Sequence, residues 1–206
     1  MRIKTGIVAL LLALLCACAN VPKDFSFDDR KQTGLVVGSV TYESGLGRYY
    51  LKVLSKETGR ATLLGFGCPV WPCLHPADDK AFSEGEPTSQ RGGGYAAALP
   101  QGVYRIVGWE VARGSLRSRP DEEVSIEFVV EAGHTSYLGN LHFDPDWERV
   151  QLRDRADRDL KALADTYPVV RDAPLAYRIA DGVVLDHFGT TYATRLNGPI
   201  FISVSD

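Results

Sequence analysis

Two cysteines and a histidine lie close together in the segment Gly67-Cys-Pro-Val-Trp-Pro-Cys-Leu-His75. Thiolate and imidazole groups are ligands for Zn²⁺ or Cu(I), so Cys68, Cys73 and His75 could hold a metal, but the neighbouring sequence offers no fourth ligand. The four residues between the cysteines also differ from the two of a redox-active pair. We favour a disulfide between Cys68 and Cys73, which requires an oxidising compartment. We predict no metal and no cofactor.

A second group of candidates surrounds a histidine near the end of a predicted strand. His142 precedes Asp144-Pro145-Asp146, and an imidazole beside two carboxylates could act as a general base or help to bind a cation. The same residues also fit a simple turn, because Asp and Pro both favour turns. A hydrolase or metal-dependent enzyme that uses His142, Asp144 and Asp146 is therefore the alternative hypothesis.

Other catalytic patterns are missing from the sequence. It has no Gly-x-Ser-x-Gly motif, and Arg91-Gly92-Gly93-Gly94 lacks the lysine and the helix that follow a phosphate-binding loop. We therefore predict a protein that is not an enzyme. Its possible binding loop is the proline-rich and glycine-rich segment 67–94, in which Trp71, His75 and Arg91 could contact a partner.

The amino terminus predicts the compartment. Arg2 and Lys4 precede an unbroken apolar run over residues 7–15, which is too short to span a bilayer and is typical of a secretory signal. The run ends in Leu15-Cys16-Ala17-Cys18, which resembles the lipobox of bacterial lipoproteins. Cleavage after a plain signal peptide, at Ala17 or Ala19, is the alternative.

The lipobox resemblance implies a set of properties for the mature chain. Residues 1–17 would be removed, Cys18 would carry lipid, and residues 18–33 would form a polar tether. The chain would be anchored to a membrane through this lipid. Because no aspartate follows Cys18, the resemblance implies the outer membrane, with the protein facing the periplasm.

Composition limits the partners and the number of domains. Removing residues 1–17 leaves 189 residues, with 21 Lys and Arg against 26 Asp and Glu. This length suits one domain, over 34–206, and the acidic excess argues against nucleic acid as a partner. An envelope protein or a glycan is the partner class that we expect, and a module that assembles with a second protein remains open.

The elements that must position these residues are mainly strands. Alternating apolar residues predict strands at 35–42, 48–55, 61–66, 123–130 and 135–143, with hairpins joining the first two and the last two. Helical spacing of Ala156, Leu160, Leu163 and Tyr167 predicts one helix over 154–167. The fold class predicted is a mainly β, antiparallel sandwich of seven or eight strands with one helix late in the chain.

One segment resembles a known family. Leu99-Pro-Gln-Gly-Val-Tyr-Arg-Ile106 is similar to the turn and strand of transthyretin-like domains, such as carboxypeptidase regulatory-like modules. A Tyr-x-Gly-Asn strand at Tyr137-Leu138-Gly139-Asn140 resembles segments of uncharacterised envelope lipoproteins. The resemblance to transthyretin-like domains implies an antiparallel β-sandwich.

Overall fold

The structure is a computed structural model. It describes residues 21–27, 32–43, 47–67, 80–86, 90–113, 115–144, 149–180, 182–186, 191–195 and 198–200. Three predictions lie outside these residues: the signal peptide, the lipidated cysteine and the disulfide.

The described part of the chain is mainly β. Its strands are β1 (Thr33–Tyr42), β2 (Arg48–Ser55), β3 (Ala61–Gly67), β4 (Arg91–Pro100), β5 (Gly102–Arg113), β6 (Leu116–Ser118), β7 (Ile126–Val130), β8 (Thr135–Phe143), β9 (Val150–Arg153), β10 (Leu175–Arg178), β11 (Val183–Asp186), β12 (Thr191–Arg195) and β13 (Gly198–Ile200). Its helices are α1 (Lys80–Ser83), α2 (Ala156–Thr166) and α3 (Val169–Asp172).

The strands form two sheets with mostly antiparallel pairing. Sheet A has the order β11-β9-β8-β1-β4, with β10 also paired to β8, and sheet B has the order β13-β12-β6-β5-β2-β3, with β7 paired to β5. The exceptions to antiparallel pairing are β1 with β8 and β10 with β8, which are parallel. The predicted mainly β sandwich is therefore confirmed. The predicted number of seven or eight strands matches the eight described strands that have five or more residues.

Both hairpins predicted from sequence were wrong. β1 lies in sheet A and β2 in sheet B, while β7 pairs with β5 and β8 pairs with β1, β9 and β10. The connections from β1 to β2 and from β7 to β8 therefore carry the chain from one sheet to the other. Alternating apolar residues identify a strand, but they do not identify its neighbour, because either sheet of a sandwich can bury the apolar face.

Aromatic rings fill the space between the sheets. Tyr42 of β1 stacks on Tyr49 of β2, with ring centroids 4.2 Å apart. Phe143 of β8 meets Tyr49 and Trp109 edge-on, at 5.1 and 5.6 Å. These rings are at most 5% exposed, so their burial is a main source of the folded state's stability.

A glycine allows β8 to pair with two strands along one edge. β10 pairs with residues 135–137 of β8, and β9 pairs with residues 140–143. Between them, Gly139 has φ +93°, and the register with β1 shifts beside it. Glycine adopts such a conformation readily at a β-bulge, whereas residues with a Cβ rarely do.

Helices α1 and α2 cover the outer face of sheet A. Gly94 of β4 lies beneath both helices, because a Cβ there would come within 3 Å of Phe82 and Leu163. On the opposite face of β4, a Cβ on Gly93 would overlap the ring of Phe66. The glycine run is thus a strand with side chains packed closely against both of its faces. The prediction of an irregular loop over 67–94 was wrong for Lys80–Ser83 and for Arg91–Gly94.

The amino-terminal tether contacts the domain. The Val21 amide donates to the Ala96 carbonyl at 2.9 Å, and Val21, Phe25 and Phe27 pack against the core. The predicted tether over 18–33 is therefore attached to the edge of β4 within its described residues.

Candidate functional site

The structure describes three of the residues that the sequence singled out for sites. Arg91 is exposed at the first position of β4, not in a loop. His142 is buried in β8, and Asp144 follows that strand, where its amide donates to the Arg149 carbonyl at 3.0 Å. The remaining candidates lie outside the described residues: Cys18, Cys68, Trp71, Cys73, His75 and Asp146.

A cavity of about 420 Å³ opens on one side of the sandwich, between β3 of sheet B and β4 of sheet A. We call it the edge cleft, because β3 and β4 are the last strands of their sheets. Buried aromatic and aliphatic side chains form its inner wall: Leu64, Tyr95, Leu99 and Tyr104. Exposed polar residues stand at its mouth: Glu57, Thr58, Arg60 and Gln101.

The turn between β4 and β5 closes one end of the edge cleft. The Tyr104 hydroxyl donates to the Pro100 carbonyl at 2.9 Å, and its ring stacks on Phe128 with centroids 5.5 Å apart. Burial, together with the nearby Glu57 carboxylate, raises the pKa of Tyr104. The hydroxyl therefore stays protonated, and this part of the wall is held in place without a ligand.

A second region, which is polar, lies beneath α2, on the face of sheet A that points away from sheet B. We call it the polar layer, and its members are all buried: Ser39, Thr41, Tyr137, Asn140, His142 and Asp159. The Ser39 and Tyr137 hydroxyls each donate to Asp159 Oδ2 at 2.6 Å. Arg158 Nε donates to Oδ1 of the same carboxylate at 2.8 Å.

A directed chain of hydrogen bonds joins His142 to Asp159. Asn140 Nδ2 donates to Ser39 Oγ at 2.7 Å, and Thr41 Oγ1 donates to Asn140 Oδ1 at 2.9 Å. His142 Nδ1 lies 2.8 Å from Thr41 Oγ1. Because the Thr41 hydroxyl has already given its one proton to Asn140, Nδ1 must be the donor, which fixes the tautomer of His142.

Arginines and one glutamate extend the polar layer towards solvent. The Glu86 side chain is only 3% exposed, and both its oxygens accept from Arg153, at 3.0 and 3.1 Å. Arg155 and Arg158 lie 3.5 and 3.4 Å from the same carboxylate. Each buried acid thus has at least one arginine partner, as buried charges require.

His142 is neutral at pH 7. Burial, and next the positive charge of Arg153, lower its pKa to about 4, while Glu86 and Asp144 act in the opposite direction. The Nδ1 partner is a threonine hydroxyl. A general base of the kind predicted would have a carboxylate there to stabilise the protonated ring. The arrangement fits a structural network better than proton transfer.

The described residues supply no further chemical centre. They contain no group of three or more His, Cys, Asp or Glu side chains placed to hold a metal ion. Among the described lining residues of the edge cleft there is no histidine and no cysteine. Within the part of the chain that the structure describes, no helix has the length and apolar character needed to cross a membrane.

Comparison with known proteins adds no identity. No protein-family model matches the chain, and neither a curated protein nor a solved structure is significantly similar to it. The interpretation of the site therefore depends on its geometry.

The sequence analysis identified His142 but missed the rest of the polar layer and the whole edge cleft. A signal for the polar layer was present, because Ser39 and Thr41 alternate along β1 as Asn140 and His142 do along β8. Asp159 also falls within the helical stripe of Ala156 and Leu163. No comparable signal exists for the edge cleft, since its walls are ordinary apolar residues of four separate strands.

Proposed function

We propose that the chain is a lipid-anchored envelope lipoprotein that acts as a non-enzymatic binding module, with its ligand in the edge cleft. Lipid on Cys18 would hold it on the outer membrane, facing the periplasm. The observation that carries the binding role is the cleft itself. Its volume of about 420 Å³ falls in the range of roughly 300–1,000 Å³ that is common for ligand sites.

The predicted binding loop joins the other ends of the same two strands. Residues 68–90 run from the end of β3 to the start of β4, whereas the edge cleft is lined by the start of β3 and the end of β4, at residues 61–65 and 97–100. The cleft is therefore proposed on its own lining residues, and a contact from Trp71 or His75 is a separate prediction.

The attached tether places the domain near the proposed anchor. Val21 is bonded to Ala96 and follows Cys18 by three residues, which can span at most about 11 Å. Ala97, the next residue of β4, lines the edge cleft. The ligand would thus bind close to the membrane surface.

The non-enzymatic part of the proposal rests on the polar layer and on the lining of the edge cleft. The polar layer uses its hydrogen bonds internally, and the edge cleft has tyrosines and aliphatic groups but no activated nucleophile among its described residues. Substituting His142 would therefore alter stability without abolishing ligand binding.

The anchor is tested by substituting one cysteine at a time. We expect the Cys18→Ala chain to leave the membrane fraction and to lack acyl mass, because two or three lipid chains on this residue are needed for lasting attachment. Cys16→Ala is the matched control and should remain membrane-bound with the lipid in place. A Cys18→Ala chain that stays in the membrane fraction would refute the anchor.

The binding site is tested with a photo-crosslinking amino acid in living cells. Placed at Thr62, which lines the cleft, it should give a discrete adduct. Placed at Asp165 on α2, whose side chain is 78% exposed, it should not. Ala97→Trp, which fills the cleft, should remove the Thr62 adduct. Equal labelling from both positions, or none from Thr62, would contradict the proposal.

A further inference from the structure

We propose that the ligand of the edge cleft is an extended polypeptide segment, which adds to sheet B as a new strand beside β3. This inference rests on the proposed function, because it names the class of ligand for the same cleft. Four observations lead to it: the free edge of β3, the composition of that edge, an existing bond on the facing edge, and the cleft behind it.

The outward backbone groups of β3 follow from its pairing with β2. The Ser55 amide donates to the Arg60 carbonyl at 3.0 Å, and ladder bonds alternate along an antiparallel strand. Thr62 and Leu64 therefore direct their amide and carbonyl groups to β2. Ala61, Leu63 and Gly65 direct theirs away from the sheet, and these groups have no hydrogen-bond partner among the described residues.

The composition of β3 leaves this edge unprotected. Edge strands usually carry charges or proline, which prevent another strand from pairing with them. Ala-Thr-Leu-Leu-Gly-Phe-Gly, the sequence of β3, has neither. An unprotected row of amide and carbonyl groups binds an extended peptide through main-chain hydrogen bonds, as in strand addition.

The facing edge of β4 already binds an added segment. The backbone amide of Gln101 donates to the Gln32 carbonyl, in the segment leading into β1. By the same alternation, the backbone amide and carbonyl groups of Ala96 and Ala98 point outward. The Ala96 carbonyl accepts from Val21 of the tether. Among the residues that the structure describes, one of the two edges is thus partly used, and β3 is the edge left for a partner.

The edge cleft supplies the selectivity. Side chains alternate along an extended peptide, so every second residue would point towards Leu64, Leu99 and Tyr104 while the others face the mouth. Five residues would span β3 from Ala61 to Gly65. The ligand should therefore be a short segment with apolar residues at alternate positions.

The test uses the full lipidated chain in nanodiscs and a phage-displayed library of random twelve-residue peptides. We expect enrichment of peptides with alternating apolar residues. Leu63→Pro removes an outward amide and adds a ring at the edge, a position where proline is tolerated, and should weaken binding of the enriched peptide at least tenfold. Glu127→Pro makes the same change at an exposed, outward position of β7, which does not line the cleft, and is the matched control, with binding within twofold of the original.

Hydrogen exchange provides a measurement that needs no variant. In the original chain, the bound peptide should slow amide exchange at Leu63 and Gly65 but not at Ala98. Equal peptide affinity for both proline variants, or unchanged exchange at Leu63, would overturn strand addition. A glycan adduct at Thr62 with no enriched peptide would also overturn it while leaving the binding module intact. If neither a Thr62 adduct nor an enriched peptide is found, the proposed binding function itself is refuted.

Discussion

The two faces of sheet A are buried in opposite ways. Towards sheet B, Tyr42 and Phe143 pack against aromatic rings. Towards α2, Ser39 and His142 of the same strands are also buried, but their neighbours are hydroxyls, an amide and a carboxylate. One strand thus contributes to an apolar interface on one side and to a hydrogen-bonded one on the other.

The difference shows that two kinds of stabilising interaction are divided between the two faces of sheet A. Apolar contacts between the sheets are nondirectional and tolerate moderate changes of shape. The polar layer depends on complete pairing, because a buried donor or acceptor without a partner costs about 1–3 kcal/mol, and a buried charge costs more. We therefore expect substitutions in the polar layer to be the more damaging ones, and to depend on pH.

The largest loss of stability is expected from the substitution Asp159→Asn. The amide would turn an N–H group towards Arg158 or towards the hydroxyls of Ser39 and Tyr137, all of which are donors to Asp159. We expect a loss of about 3 kcal/mol in the free energy of unfolding, measured by urea denaturation. Asp165→Asn on the exposed side of α2 is the control and should change stability by less than about 0.5 kcal/mol. Equal effects of the two would refute the importance of the layer.

A smaller effect, confined to acid, is expected from His142. The folded chain holds its pKa near 4, below the reference value of 6.5. As pH falls from about 6.5 to 4, the unfolded chain binds a proton that the folded chain does not, so stability decreases and then levels off. His142→Gln should reduce this decrease by about 2 kcal/mol, whereas His134→Gln, at an exposed turn, serves as the control. Parallel pH profiles for all three proteins would contradict the assignment.

The smallest effect is expected on the apolar side. Phe143→Leu should lower the free energy of unfolding by about 1–2 kcal/mol through lost ring contacts with Tyr49 and Trp109. Because no titrating group is involved, the loss should be the same at pH 7 and pH 4.5. A loss that grows at the lower pH would mean that the two faces are not energetically separate.

Much of the fold could be predicted from local pattern. The bounds of β2 and β8, and most of α2, follow from apolar periodicity, because each is amphipathic or continuously buried over its full length. The glycine-rich start of β4 could not be predicted, since its conformation is imposed by Phe66 and Phe82, which come from distant segments. Strand pairing was missed for the same reason, because partners in a sandwich are set by global packing.

The candidate sites were harder to predict than the fold. Asp159 shares the helical stripe of Ala156 and Leu163, but a carboxylate is almost never fully buried unless it is paired. Only the meeting of Ser39, Tyr137 and Arg158 around it makes its burial favourable. The edge cleft depends on how β3 of one sheet and β4 of the other lie beside each other, which no short sequence pattern predicts.

The parallel pairing of β1 with β8 has a consequence for how the chain folds. Leu35 lies opposite Thr135, a separation of 100 residues, and β8 is the central strand of sheet A, between β9 and β1. A loop of that length must close before the centre of the sheet can form, and such nonlocal contacts slow folding. Sheet A of the nascent chain should therefore remain incomplete until β8 has been synthesised, which would suit the export that we propose.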